Sequence, residues 1–158
     1  MKQSKQAYIE RLGGIYEHSP WVAEKAFAMG APQKGLPLIL RQIVEDAGPD
    51  AQLALLRAHP DLAGKLASTG ALTAESTSEQ ASAGLDQCSP EEFAEFTALN
   101  DRYKARFGFP YILAVRGRHR SEILENFRSR IDNTPEVEFR EALDQVHRIA
   151  ALRLEALE

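Results

Sequence analysis

Cysteine is almost absent from this chain: of 158 residues, only Cys88 carries a thiol. That excludes an internal disulfide and a zinc site built from several thiolates. No apolar run approaches the roughly 20 residues a membrane helix needs. A basic tract is missing too. With 23 acidic residues against 19 Lys and Arg, the net charge is -4, which offers no general footprint for nucleic acid. The four histidines, His18, His59, His119 and His147, include no HExxH pair and no two spaced i, i+3 or i+4, so a metal site has weak support. No GxGxxG, Walker or GxSxG pattern points to a nucleotide, a redox cofactor or a nucleophilic serine. The start, MKQSKQAYIERL, has no secretory apolar core, and the end, EALE, is no peroxisomal signal, so a cytoplasmic protein is expected. What is present is a 44% hydrophobic composition, enough for one ordinary domain over residues 1–158 with its own core.

The punctuation reads as helices. Ser19-Pro20 reads as an N-cap followed by proline at the first helical position, and Gly30 closes that segment. Leu36, Ile39, Leu40 and Ile43 recur at helical spacing before Gly48-Pro49 stops them. A helix from Pro49 carries Leu53, Leu55 and Leu56 inward and must end near His59, because Pro60 disfavours helical geometry at the residue before it. Ser89 and Glu92 form a capping box for a helix from Pro90 to Phe107, which Gly108 terminates. Its inward face carries Phe93, Phe96, Asn100, Tyr103 and Phe107, with Leu99 beside it. Phe109 to Val115 reads as a strand or an extended buried connector. Helices over Ser121–Ile131 and from Pro135 to the end close the chain, the last with a stripe of Phe139, Leu143, Val146, Ala150, Leu154 and Leu157. Between Gly64 and Gly84 the chain is small and polar, anchored by Leu66 and Leu72, and Glu75 to Ala83 can continue as a helix. The fold class is all-α.

His59 is the candidate proton carrier. It ends an apolar helix (LALLRAHPDLAGK), and an imidazole there can move a proton near neutral pH; a histidine tied to a loop carbonyl is the alternative. Ser76, Glu79, Gln80 and Ala83 share a helix face, with small neighbours that let a ligand come close; an exposed polar helix is the alternative there. His147, among surface-type residues, is expected to be solvated. His18 is expected to tie down a helix start. His119 sits in a basic turn facing an anion or water, and Cys88 is a bystander.

Gly14-Ile15-Tyr16-Glu17-His18-Ser19-Pro20-Trp21-Val22-Ala23, Ala58-His59-Pro60-Asp61-Leu62-Ala63-Gly64-Lys65, Ser78-Glu79-Gln80-Ala81-Ser82-Ala83-Gly84-Leu85-Asp86 and Arg106-Phe107-Gly108-Phe109-Pro110-Tyr111-Ile112 occur in that order, with Leu99-Asn100 and Tyr103 before the last. Together they resemble the 2-oxo-4-hydroxy-4-carboxy-5-ureidoimidazoline (OHCU) decarboxylase family of urate degradation, over nearly the whole chain. The resemblance implies an all-α, cofactor-free and often dimeric enzyme that turns OHCU into (S)-allantoin and carbon dioxide. It places His59 as the catalytic histidine and Glu79 as its partner. Substrate binding falls to Pro60, to Ser76, Thr77, Ser78, Glu79 and Gln80, and to Tyr111, Ile112, Leu113, Ala114 and Val115. Tyr111 stands where phenylalanine is common. Arg106, Arg116 and Arg118 are the candidates to meet the substrate carboxylate. Two other readings are a helical binding module without chemistry and a metal-dependent amidohydrolase, the latter disfavoured by the histidine spacing.

Overall fold

The computed structural model describes residues 4–62 and 73–157. Among these residues the chain forms eight α-helices and one 3-10 turn, with no strand. The all-α expectation therefore holds. Two compact units divide the chain: residues 1–59 with 146–158, and residues 60–145.

The first unit holds α1 (Lys5–Leu12), α2 (Trp21–Ala28), α3 (Leu36–Asp46) and α4 (Pro49–Arg57), together with the last part of α8 (Pro135–Ala156). Sequence assigned no element to α1. It is nucleated by Ser4, whose hydroxyl accepts from the Ala7 amide at 3.1 Å, and it buries Tyr8 and Leu12. α1 packs on α2, α2 on α3 and α3 on α4. The expected Ser19 cap is corrected: α2 starts at Trp21 with no side-chain cap. The buried Ser19 hydroxyl instead donates back to the Glu17 carbonyl at 3.0 Å, while the Ser19 carbonyl takes the Val22 amide at 3.2 Å. At the end of α3, the buried Gln52 side chain donates to the Val44 and Glu45 carbonyls, each at 3.1 Å, satisfying groups a helix end leaves open. α4 stops at Arg57, two residues short of His59, as Pro60 requires.

The second unit holds α5 (Ala74–Ser82), a 3-10 turn (Leu85–Gln87), α6 (Pro90–Phe107), α7 (Arg120–Arg130) and the first part of α8. Thr73 caps α5, accepting from the Ser76 amide at 3.1 Å. The Ala63-Gly64-Lys65 stretch, Leu66 and Leu72 lie outside the described residues. α6 has the capping box read from sequence: the Glu92 amide donates to Ser89 Oγ at 3.1 Å and the Ser89 amide to Glu92 Oε1 at 2.9 Å. Gly108 ends it with φ +79°, a left-handed geometry glycine adopts without strain. Phe96, Leu99, Asn100 and Tyr103 are buried on its inner face, whereas Phe93, in the first turn, is exposed. Phe109–Val115 is a buried connector without strand pairing, and aromatic rings fix it: Tyr103 meets Phe109 and Tyr111 edge-on, and Tyr111 stacks on Phe127 at 3.8 Å. α7 begins at Arg120, one residue early, because His119 Nδ1 accepts from the Ser121 amide at 3.3 Å and caps it.

Candidate active site

His59 sits just past α4, its amide bonded to the Leu56 carbonyl at 3.2 Å. The side chain is buried, with 8% of the residue exposed. Its Nε2 has no hydrogen-bond partner among the described residues. A buried polar atom left open in this way is rare in folded proteins and calls for an explanation. Burial pushes the His59 pKa down to about 4 from 6.5; the Glu17 carboxylate opposes that shift, while Arg153 and His18 add to it. The imidazole is therefore neutral at pH 7.

The groups whose charge reaches His59 form a built arrangement in the same unit. Glu17 is 1% exposed and accepts from Arg153 Nη2 at 2.8 Å, and Arg153 Nη1 donates to the Gly14 carbonyl at 2.9 Å. His18, exposed and in a left-handed conformation (φ +49°), brings Nε2 to 3.7 Å from Glu17. Sequence reading passed over both Glu17 and Arg153. A carboxylate inside the first quoted motif and an arginine in register with the apolar stripe of α8 were the signals that could have found them.

His147 corrects an expectation. Rather than solvated, it is buried, with Nδ1 at 2.8 Å from the Tyr16 hydroxyl and Nε2 at 3.7 Å from Glu45. Its partner Tyr16 lies far away in sequence, so its surface-type neighbours carried no hint of burial.

In the second unit, Ser76 and Gln80 are buried on one face of α5, as their spacing predicts. Gln80 Nε2 donates to the Asp61 carbonyl at 3.4 Å, two residues after His59 in the chain. Glu79 is half-buried; Thr77 and Ser78 are exposed, and the Thr77 hydroxyl donates to the Thr73 carbonyl at 2.9 Å. Pro60 is half-buried. Tyr111 to Val115 are all buried. The Ile112 carbonyl accepts from Arg130 Nη1 at 2.6 Å and the Ala114 amide donates to Gln145 Oε1 at 3.0 Å. The extra hydroxyl of Tyr111 bonds Asn126.

Of the arginines singled out for an anion, Arg106 borders a shallow cleft of about 610 Å³ with Arg102, Ala105, Ile131 and Asp132. Its Nη2 is engaged by the Asn133 carbonyl at 2.9 Å. Arg116 is exposed and Arg118 half-buried. Among the described residues no group of three or more His, Cys, Asp or Glu is placed to hold a metal, and no helix is long and apolar enough to cross a membrane.

A scaffold that is all-helical among the described residues and holds a buried, neutral imidazole with an open Nε2 is the class of protein the structure defines. Comparison with known proteins narrows the class. Residues 1–155 match the OHCU decarboxylase family. An enzyme of Halalkalicoccus jeotgali named 2-oxo-4-hydroxy-4-carboxy-5-ureidoimidazoline decarboxylase is 42% identical over 97% of this chain and 86% of its own. A uric acid degradation bifunctional protein of Bacillus subtilis is 38% identical over 94% of this chain and 30% of its own. The crystal structure of (S)-allantoin synthase superposes with a TM-score of 0.74 at 34% identity, covering 98% of this chain and 51% of that one. The chain belongs to the OHCU decarboxylase family, a family of carboxy-lyases.

Proposed function

We propose that this chain decarboxylates OHCU to (S)-allantoin, with His59 moving the protons. The observation that carries the reading is the buried, neutral His59 imidazole with an open Nε2. Family membership supplies the substrate class.

The substrate bears a carboxylate and a hydroxyl on one ring carbon, beside a ring C=N bond. When the C–COO⁻ bond breaks, its electron pair forms a C=C bond to the neighbouring ring carbon, and the C=N π pair moves onto nitrogen, which takes a proton. The enol hydroxyl then gives up its proton as C=O forms, and the C=C pair takes a proton at the ureido-bearing carbon. One carboxylate and one external proton thus become carbon dioxide and neutral allantoin. The substrate is its own electron sink, so the chain's residues need only bind, exclude water and move protons.

His59 accepts the hydroxyl proton and returns one to a single face of the ureido-bearing carbon, which sets the S configuration. General acid–base help of this kind is worth about 10²–10⁴-fold. Glu79 orients His59 or holds a substrate N–H. Pro60, the Ser76-to-Gln80 turn and the Tyr111-to-Val115 backbone hold the ring and ureido amides. For the carboxylate, Arg153 is a better candidate than Arg106, Arg116 or Arg118, because it is the arginine whose charge is felt at His59. The reading includes a cytoplasmic, cofactor-free and metal-free enzyme that forms a homodimer and binds no nucleic acid, with residues 1–158 working as one domain. His59→Ala and Glu79→Ala should each lose most activity while keeping a wild-type far-ultraviolet spectrum. Wild-type rates from both would overturn the assignment.

A further inference from the structure

Arg130 and Glu138 form a buried ion pair that the proposed chemistry does not use. Arg130 is 5% exposed and Glu138 fully buried. Arg130 Nε and Nη2 each reach Glu138 Oε1 at 2.6 Å, and Nη1 donates to the Ile112 carbonyl at 2.6 Å. The guanidinium also lies over the Tyr111 ring, 4.6 Å from its centroid. Glu138 in turn accepts from the Tyr103 hydroxyl at 2.6 Å and from Asn133 Nδ2 at 3.1 Å. Only an arginine offers enough donors in one plane to hold a carboxylate, a carbonyl and an aromatic face at once.

A buried ion pair is weak evidence of stabilisation, because apolar residues of the same volume often serve equally well. What apolar residues cannot supply is the hydrogen bond to Ile112. In an extended run the N–H and C=O of one residue point the same way, and those of the next point oppositely. Ile112 and Ala114 fall on one edge, and both are engaged, by Arg130 and Gln145. Leu113, on the opposite edge, has no hydrogen bond to a described residue.

We propose that Arg130, held in place by Glu138, is a positioning residue for substrate binding: it anchors one edge of the Tyr111-to-Val115 connector, so that the Leu113 edge is presented to the planar amide groups of the substrate. This rests on the reading of that connector as a binding segment. The test is steady-state kinetics on OHCU for wild type, Arg130→Lys and the double variant Arg130→Met/Glu138→Leu, with thermal melts of each. A double variant that melts cooperatively should raise KM by about tenfold or more with kcat within about threefold, since it loses the anchor without losing the proton carrier. Arg130→Lys, which keeps the charge and one donor direction, should fall between the two. If the double variant fails to fold, Arg130→Lys carries the test with a rise in KM of about threefold or more. A folded variant with wild-type KM, or with a fall confined to kcat, overturns the inference. If wild type itself leaves OHCU decay unchanged, the underlying functional reading fails instead.

Discussion

Acidification should weaken this protein through His59 in a window that the structure sets. Burial lowers the His59 pKa to about 4 from 6.5, so below pH 6.5 the unfolded chain takes up a proton that the folded chain refuses. Stability is then lost as the pH falls from about 6.5 towards about 4 and is fully present above that window. Each pKa unit is worth about 1.4 kcal/mol, and going from pH 7 to pH 4.5 spans most of the shift, so His59 alone costs about 2 kcal/mol over that step. His59→Gln removes the titrating group and leaves Glu17, Arg153 and His18 in both proteins. Urea unfolding of wild type and His59→Gln at pH 7 and pH 4.5 isolates the effect: the variant should gain about 2 kcal/mol on wild type at the lower pH. A difference between the two proteins that is the same at both pH values would show that His59 titrates normally in the folded state, and the account of its neutrality would fail.

Three further outcomes follow from the packing. Glu17→Gln leaves the buried Arg153 charge without its carboxylate and should cost about 3–5 kcal/mol in denaturant unfolding; a loss below 1 kcal/mol would show that Glu17 is not holding Arg153. Ser89→Ala removes half of the capping box and should lower stability by about 1 kcal/mol, a drop of about 2–4 °C in the melting temperature. Tyr111→Phe deletes the hydroxyl bonded to Asn126 and should cost about 1 kcal/mol of stability while leaving OHCU turnover within about twofold, because the connector backbone stays in place.

Local signals were legible and distant partners were not. The Ser89/Glu92 box, Gly108 and Pro60 act within a turn of themselves, so the ends of α6 and α4 could be read directly. The face shared by Ser76 and Gln80 followed from helical spacing alone. Ser19 carried the composition of a cap, yet a backward bond to the Glu17 carbonyl took its hydroxyl, a choice composition does not encode. His147 reads as a surface residue and Arg153 goes unnoticed because Tyr16 and Glu17, their partners, lie at the other end of the chain. The Arg130–Glu138 pair, eight residues apart, is not legible for a different reason: the break between α7 and α8 removes the helical spacing that would show the two charges meeting. The candidate site was therefore readable as residue types in motifs, while the electrostatics around His59 needed the fold.

The most direct test is circular dichroism of OHCU made in situ from urate by urate oxidase and hydroxyisourate hydrolase, with this protein added. Rapid appearance of the (S)-allantoin signal is expected, and its loss with His59→Ala. Slow formation of racemic allantoin at the uncatalysed rate, with or without the wild-type chain, would contradict the proposed function.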